Sequence, residues 1–319
     1  MTNEAERAKA PAGNPTEESE PEQGFLKELA QFFIIPALIV ALVVAIFLMF
    51  GLLSHEDKGA AEFLQEIRTK RGNDRWVAAY NLTRALGDDP GSAGQSAGAG
   101  NAANAGLTRE IIAALKEEGK DDPKVRKYLI IALERLGDPQ AAPVIVESLK
   151  DPDPDVRLQS ARALGVMAGT AGTGGIGGVA GAVGPLAELL ADEDPAIRKV
   201  AVYALGQTRD PSAILALVPR LEDPIEDIRW NAAVALAVLG DASGREVIMQ
   251  MLDREHLEKV EGITDLQKED ALINGVQAAY LLRDGSFAPR VRELSRSDPS
   301  LKVRDIAIKA LEVLDHVTP

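Results

Sequence analysis

Few residues of this chain have the type and spacing that enzyme chemistry requires. The sequence has no cysteine and only three histidines, which lie far apart at His55, His256 and His316. It contains no H-E-x-x-H or P-loop motif, so the sites that those motifs build are not predicted. Gly172 to Gly177 matches the letters of the dinucleotide fingerprint G-x-G-x-x-G, but that motif needs a preceding strand, and the flanking residues predict helices. The sequence therefore predicts a protein that is not an enzyme and holds no cofactor or metal.

The charged residues that do recur at a fixed spacing belong to a repeat. Five segments begin with Asp-Pro and carry an Arg a few residues later, and each Arg is followed six positions on by Ala and then by Leu. Asp and Pro favour the first turn of a helix, and the apolar residues that follow form one stripe. A Gly or Asp after the Leu is predicted to end the helix. The segments begin at Asp122, Asp153, Asp194, Asp223 and Asp298, and the closing residues are Gly137, Gly165, Gly206, Gly240 and Asp315.

The composition and the repeat together predict an all-α solenoid. Hydrophobic residues make up 46% of the chain but aromatic residues only 4%, a mixture that suits closely packed Ala- and Leu-rich helices. A second apolar helix precedes each Asp-Pro, so the unit is a helical hairpin of about 31 residues. Weaker copies around Arg75 and Asn274 bring the number to about seven over residues 59–319. One hairpin cannot bury its own apolar face, so neighbouring hairpins must stack.

This pattern resembles the HEAT repeat family and looks most like its bacterial branch known as PBS-lyase HEAT-like repeats. The resemblance covers about Gly59 to Asp315. In that family an Arg and an Asp form a ladder between adjacent repeats, which implies a structural role for the matching residues here. The pattern breaks at Lys120 and Asn274, where the ladder is not expected to continue. The implied ladder consists of Asp151, Arg157, Asp192, Arg198, Asp223, Arg229, Asp298 and Arg304.

The few aromatic residues of the repeats are the candidate partner-binding residues. Trp76 and Trp230 each follow an Arg of the repeat, and Tyr128 and Tyr203 lie in the same kind of helix. They either anchor a partner on the inner surface of the solenoid or fill the space that Ala-rich helices leave. Both interpretations are open from the sequence.

An uncharged run precedes the repeats. Residues 29–54 carry no charge, and the stretch from Phe32 to Leu53 is almost entirely apolar. As a helix it would extend about 33 Å, enough for the core of a bilayer. A cleaved signal peptide has a shorter apolar core, and a buried helix is usually shorter as well. The run is therefore predicted to be a single transmembrane helix that anchors the protein in the inner membrane.

The charges on the two sides of this run predict its orientation. Lys27 is the one base close to its amino end, whereas Lys58, Arg68, Lys70 and Arg71 follow it. Basic residues favour the cytoplasmic side. The repeats are therefore predicted to lie in the cytoplasm, with the extracytoplasmic side as the alternative.

The remaining segments are predicted to be tails, loops or insertions. Residues 1–28 are acidic and rich in Pro, and they are predicted to be disordered. Residues 88–106 and 165–184 are rich in Gly and Ala and are predicted to be flexible loops. A charged insertion near Asp253 to Lys268 is predicted to extend a helix. The formal net charge of −14 argues against nucleic acid as a partner, because a nucleic-acid-binding surface is basic.

These observations predict a membrane-tethered scaffold or adaptor that binds a protein partner on the solenoid surface. Two alternatives remain open. The protein is either an accessory subunit of a larger membrane complex or, by the family resemblance alone, a tetrapyrrole-binding enzyme similar to bilin lyases.

Overall fold

The fold is all-helical throughout the part of the chain that the structure describes. In a computed structural model the described residues are 35–53, 58–87, 101–117, 122–170, 179 and 181–316, and none of them forms a β-strand. The chain divides into two compact units, Met1–Asp57 and Lys58–Pro319. The predicted acidic tail at residues 1–28 lies outside the described residues.

The first unit contains one described helix, α1 (Ile35–Leu53), which has 19 residues. No helix in the described ranges combines the length and the apolar character needed to cross a membrane. The single transmembrane helix predicted at residues 29–54 is therefore not supported. The predicted inner-membrane localisation is therefore wrong, and with it the predicted cytoplasmic side. A membrane partner at residues 29–54 gains no support.

The second unit consists of helical hairpins that stack into a solenoid. In each hairpin the second helix packs on the second helix of the next hairpin. The first helices are α2 (Ala60–Thr69), α4 (Asn101–Glu117), α6 (Ala142–Ser148), α8 (Val183–Glu188), α10 (Ile214–Leu217), α12 (Arg245–Met251) and α15 (Ala288–Ser297). The second helices are α3 (Asn73–Ala85), α5 (Pro123–Leu136), α7 (Pro154–Thr170), α9 (Pro195–Gln207), α11 (Glu226–Val238), α14 (Asp265–Leu282) and α16 (Leu301–Leu314). A short extra helix, α13 (Arg254–Lys259), lies between α12 and α14.

Aspartates begin both helices of a hairpin. Asp122 and Asp194 cap α5 and α9 by accepting backbone N–H groups of Lys124 and Ala196. A further set accepts the N–H two positions ahead, at the 3-10 turns that precede α6, α10, α12 and α15. This set consists of Asp138, Asp210, Asp241 and Asp284. These caps satisfy donors that would otherwise lack a partner at a helix start.

The glycines of the repeat have two different roles. Gly137 and Gly240 take left-handed φ values of 64° and 77° and end α5 and α11. Gly165 and Gly206 lie inside α7 and α9, so the prediction that they end their helices is wrong. A Cβ at Gly206 would lie 2.9 Å from the Cα of Ala235 in the next second helix. Glycine here allows a close approach between neighbouring helices rather than a turn.

Parts of both predicted loops are helical. Helix α4 already begins at Asn101, and α7 continues to Thr170, so the predicted loop boundaries at residues 106 and 165 are wrong. Met167 and Ala168 at the end of α7 are buried, and burial of this kind outweighs the low helix propensity of the neighbouring glycines. Residues 88–100 and 171–178, which include the fingerprint at Gly172 to Gly177, lie outside the described residues.

The hydrophobic core of the solenoid consists of two clusters that meet at α11. One cluster extends from Leu64 to Leu236. The other contains Trp230, Ala233 and Ala237 and extends to Leu314. Helix α11 therefore contributes one face to each cluster.

Candidate functional site

An ion-pair ladder connects successive second helices. The Nε of Arg126 lies 2.7 Å from Asp151, the Nε of Arg157 lies 2.9 Å from Asp192, and the Nε of Arg198 lies 3.2 Å from Asp223. In each pair the Nη2 donates to the second carboxylate oxygen. Each arginine thus holds the aspartate of the following repeat through a two-pronged contact, the strongest form of a carboxylate pair.

Three arginines at this position of the repeat also bind the backbone of their own repeat. The Nη1 of Arg157, Arg198 and Arg229 donates to the carbonyl of the residue six positions earlier, at 3.0, 3.0 and 2.8 Å. Each ladder aspartate also stabilises its own turn, because its carboxylate accepts the backbone N–H of the residue two positions ahead. A ladder arginine and aspartate therefore fix the register of neighbouring hairpins.

The ladder is interrupted between α11 and α14. Helix α14 carries Asn274 where the other second helices carry the arginine, and Asn274 is far from its amino end because the helix begins at Asp265. The residue six positions before it, Lys268, therefore lies within the helix instead of in a turn. Arg229 pairs with Glu226 of its own helix at 3.2 Å and with no aspartate of the next repeat among the described residues.

Arg254 of the extra helix α13 replaces the missing arginine for Asp298. Its Nε and Nη2 lie 2.7 and 2.9 Å from the two carboxylate oxygens of Asp298. Arg254 and Arg126 were not among the predicted ladder residues. The last arginine of the predicted ladder, Arg304, makes no ion pair with any described residue.

The stability of the solenoid is expected to fall in acid because of this ladder. Burial acts to raise the pKa of Asp223, but hydrogen bonds from the Ile225 N–H and from Arg198 lower this pKa by more. Burial likewise acts on Asp192, and hydrogen bonds from Arg157 and the Asp194 N–H again give a lowered pKa. The resulting stabilisation is complete above the unfolded-state pKa near ~4 and is lost as the pH falls through the lower folded-state pKa.

Urea unfolding followed by circular dichroism between pH 7 and pH 3 measures this dependence. Asp223→Asn is expected to lower the free energy of unfolding at pH 7. It is also expected to make the decrease of this free energy between pH 7 and pH 3 smaller. An unchanged acid slope in this variant would contradict the assignment.

Next to the interruption, three consecutive second helices form a groove of about 460 Å³. We call it the α9–α11–α14 groove. Its lining includes Lys199, Tyr203 and Gln207 of α9, Asp227, Trp230, Asn231 and Val234 of α11, and Gln267, Asp270, Asn274 and Gln277 of α14. Tyr203 is 41% exposed there, whereas Trp230 is only 5% exposed. The lining of this groove thus combines aromatic and aliphatic side chains with several amides.

Several polar atoms of the groove have no partner among the described residues. The indole Nε1 of Trp230 is buried and donates no hydrogen bond. The amides of Gln207, Asn274 and Gln277 likewise make none, whereas Asn231 donates to the carbonyl of Asp227. A buried N–H without an acceptor costs free energy, about 1–3 kcal/mol. An amide both donates and accepts, as a peptide group does.

Two charged residues that line the groove form an ion pair with each other. Lys199 of α9 reaches Asp227 of α11 at 2.5 Å. A second cavity of about 580 Å³ adjoins the groove and shares Asp227, Ile263 and Gln267 with it. We call it the α11–α13 pocket, because α11 and the segment around α13 line it.

The four predicted partner-binding aromatics fall into two separate pairs. Tyr203 and Trp230 line the groove together. Trp76 stacks on Tyr128 between α3 and α5, with ring centroids 6.2 Å apart and planes at 21°. Lys124 lies 5.3 Å above the Trp76 ring, and the Trp76 indole donates to Asn73 at 2.7 Å. Their role as partner-binding residues stays a prediction.

Sequence reasoning did not identify the amides of the groove. Their signal is a polar stripe on α14, where Gln267, Asp270, Asn274 and Gln277 follow one another at intervals of three and four. That spacing places them on one helix face. No group of three or more His, Asp or Glu side chains in the described ranges could hold a metal ion.

Comparison with known proteins agrees with this geometry. Residues 108–173 and 183–263 match the family model of HEAT repeats. The chain is thus an α-solenoid, and residues 108–173 and 183–263 are similar to HEAT repeats. The finer assignment to the PBS-lyase branch stays a prediction.

Several solved structures share the fold at low sequence identity. An engineered protein is 21% identical, with a TM-score of 0.51, and the match covers 81% of this chain and 69% of that chain. The complex of CpcE and CpcF of phycocyanin lyase from Nostoc sp. PCC7120 is 18% identical, with a TM-score of 0.48 and coverages of 80% and 87%. A designed armadillo repeat protein in complex with the peptide (KR)4 is 17% identical, with a TM-score of 0.46 and coverages of 81% and 100%. No curated protein matches the sequence.

Proposed function

We propose that this protein is a non-enzymatic interaction scaffold that binds an extended segment of a protein partner in the α9–α11–α14 groove. A solenoid of HEAT repeats is typical of interaction scaffolds. The observation that carries the proposal is the set of amides of Gln207, Asn274 and Gln277, which line the groove and make no hydrogen bond with a described residue. Peptide groups of a bound segment would supply partners for these amides.

The chemistry of the groove favours a peptide over a small apolar ligand. Gln207, Asn274 and Gln277 belong to two different helices, and each can accept from and donate to a peptide group. The half-exposed ring of Tyr203 and the buried ring of Trp230 supply apolar contact, as aromatic residues do at protein interfaces. A chain of peptide groups therefore matches both the polar and the apolar parts of the lining.

Tryptophan fluorescence tests the proposal. The chain has two tryptophans, so Trp76→Phe leaves Trp230 as the reporter. Peptides of twelve residues selected from a random display library on the full chain are expected to shift its emission on binding. Asn274→Ala is expected to weaken their binding about ten-fold, because it removes one amide from the contact.

The matched control is an amide outside the groove. Gln140→Ala at the turn before α6 is expected to leave the affinity within a factor of two. Failure to select any binding peptide, or an equal loss in both variants, would contradict the proposed function.

A further inference from the structure

The interruption of the ladder leaves one arginine without the aspartate that its counterparts hold. Arg126, Arg157 and Arg198 each use Nε and Nη2 to grip a carboxylate of the next repeat. At Arg229 the Nη1 holds the carbonyl of Asp223 at 2.8 Å, and the Nη2 reaches Glu226 at 3.2 Å. Its Nε has no acceptor among the described residues. The edge that binds carboxylates elsewhere in this protein is therefore only partly occupied.

A cavity is present where the missing aspartate would be expected. Arg229 lines the α11–α13 pocket, together with His256 and Lys259. The segment that occupies the place of the usual turn is Gly262 to Gln267, and it offers no carboxylate to Arg229 in the described contacts. The volume of about 580 Å³ exceeds what one carboxylate fills. At the interruption of the ladder, the α11–α13 pocket thus offers both the volume and the N–H donor that a carboxylate requires.

The acids around this pocket are largely neutralised already. Asp227 pairs with Lys199 at 2.5 Å. Glu226 lies 3.2 Å from both Arg229 and the Nε2 of His256. Of the remaining lining charges, Glu261 and Lys259 make no ion pair with a described residue and carry opposite signs. On its own helix Arg229 thus contacts one carboxylate, Glu226, through Nη2, and its Nε remains without an acceptor among the described residues.

We infer that a carboxylate of the bound segment enters the α11–α13 pocket and completes the ladder at Arg229. This inference rests on the proposed function, since the pocket shares Asp227, Ile263 and Gln267 with the groove. A segment that follows the groove reaches the pocket at this shared edge. The carboxylate belongs either to an Asp or Glu side chain or to the end of the chain, and both offer the same two oxygens.

Paired peptides test the inference on the full protein. Peptides selected for binding are made with each Asp or Glu replaced in turn by Asn or Gln, and with a free or an amidated carboxyl end. For the wild-type protein one of these changes is expected to weaken binding about ten-fold or more, as for loss of a charge-assisted hydrogen bond. The position of that change identifies the source of the carboxylate.

Variants then assign the effect to Arg229. In Arg229→Gln the same pair of peptides is expected to differ by less than a factor of two. The matched control is Lys150→Gln, which removes one charge at an exposed pair with Glu188 and is expected to preserve the preference. If Arg229→Gln does not fold, Arg229→Lys replaces it, and a reduced preference is expected because lysine lacks the planar fork.

The outcomes separate the two proposals. Peptides that bind the groove without any dependence on a carboxylate would overturn this inference and leave the proposed function standing. A carboxylate preference that persists in Arg229→Gln would also overturn it. Failure of all peptides to bind the wild-type protein would overturn both.

Discussion

Arg254→Ala is expected to lower the free energy of unfolding by about 2–4 kcal/mol. The side chain of Asp298 is 0% exposed, and both of its oxygens accept from Arg254. Removal of the arginine leaves a buried carboxylate without its cation. The contact with Asp298 also raises the pKa of Arg254, so the guanidinium is charged at any pH at which the protein is studied.

Urea unfolding of the full chain at pH 7 measures this change. The matched control is Lys309→Ala, which removes one partner of an exposed pair with Asp305, 68% and 63% exposed. That change is expected to cost less than about 0.5 kcal/mol. Adding Asp298→Asn to Arg254→Ala is expected to recover part of the loss, because it removes the unpaired charge. Equal stability of Arg254→Ala and Lys309→Ala would show that α13 does not substitute for a ladder arginine.

Gly206→Ala is expected to destabilise the protein by about 2 kcal/mol, although alanine is the better helix former. A Cβ at Gly206 would lie 2.8 Å from the Cβ and 2.9 Å from the Cα of Ala235. Because the contacting atoms include the backbone of Ala235, which cannot rotate away as a side chain can, α9 and α11 must move apart. Because Trp230 and Asn231 belong to α11, that movement is also expected to weaken binding of a peptide in the groove.

Gly106→Ala is the matched control for this substitution. Gly106 lies inside α4, and a Cβ there would meet no atom within 4 Å. The change is expected to stabilise the protein by up to ~1 kcal/mol, the difference in helix propensity. Thermal unfolding of Gly206→Ala and Gly106→Ala shows whether the two substitutions change stability in opposite directions. A stabilising effect of Gly206→Ala would contradict the close-approach role of this glycine.

Patterns within one repeat made the fold predictable from the sequence. Asp-Pro before an apolar stripe predicts where α5 and α9 begin, and Asp122 and Asp194 cap them. The recurrence of this pattern predicts stacked hairpins, because no single hairpin buries its apolar face. The all-α solenoid is confirmed, and residues 108–173 and 183–263 match the model of HEAT repeats.

Features that depend on a neighbouring repeat were not predictable in the same way. A glycine after Ala-Leu ends a helix as readily as it permits a contact, and only the position of Ala235 shows which role Gly206 has. The pairing of Arg254 with Asp298 crosses 44 positions of the sequence and does not follow the repeat.

The candidate site is where the repeat pattern fails. Asn274 was recognised as a departure from the arginine position, but its place beside Trp230 and Gln277 became visible only once α11 and α14 were packed together. The early start of α14 at Asp265 removes the turn and its aspartate, and the same change lets α13 supply Arg254. The groove and the ladder interruption therefore have one structural cause.

Hydrogen–deuterium exchange of the full chain, with and without a selected twelve-residue peptide, tests the central proposal most directly. The proposal predicts slower amide exchange in α9, α11 and α14 on binding, with the α3–α5 region around Trp76 unchanged. Protection centred on α3 and α5, or equal protection along the whole solenoid, would contradict the assignment of the α9–α11–α14 groove as the binding site.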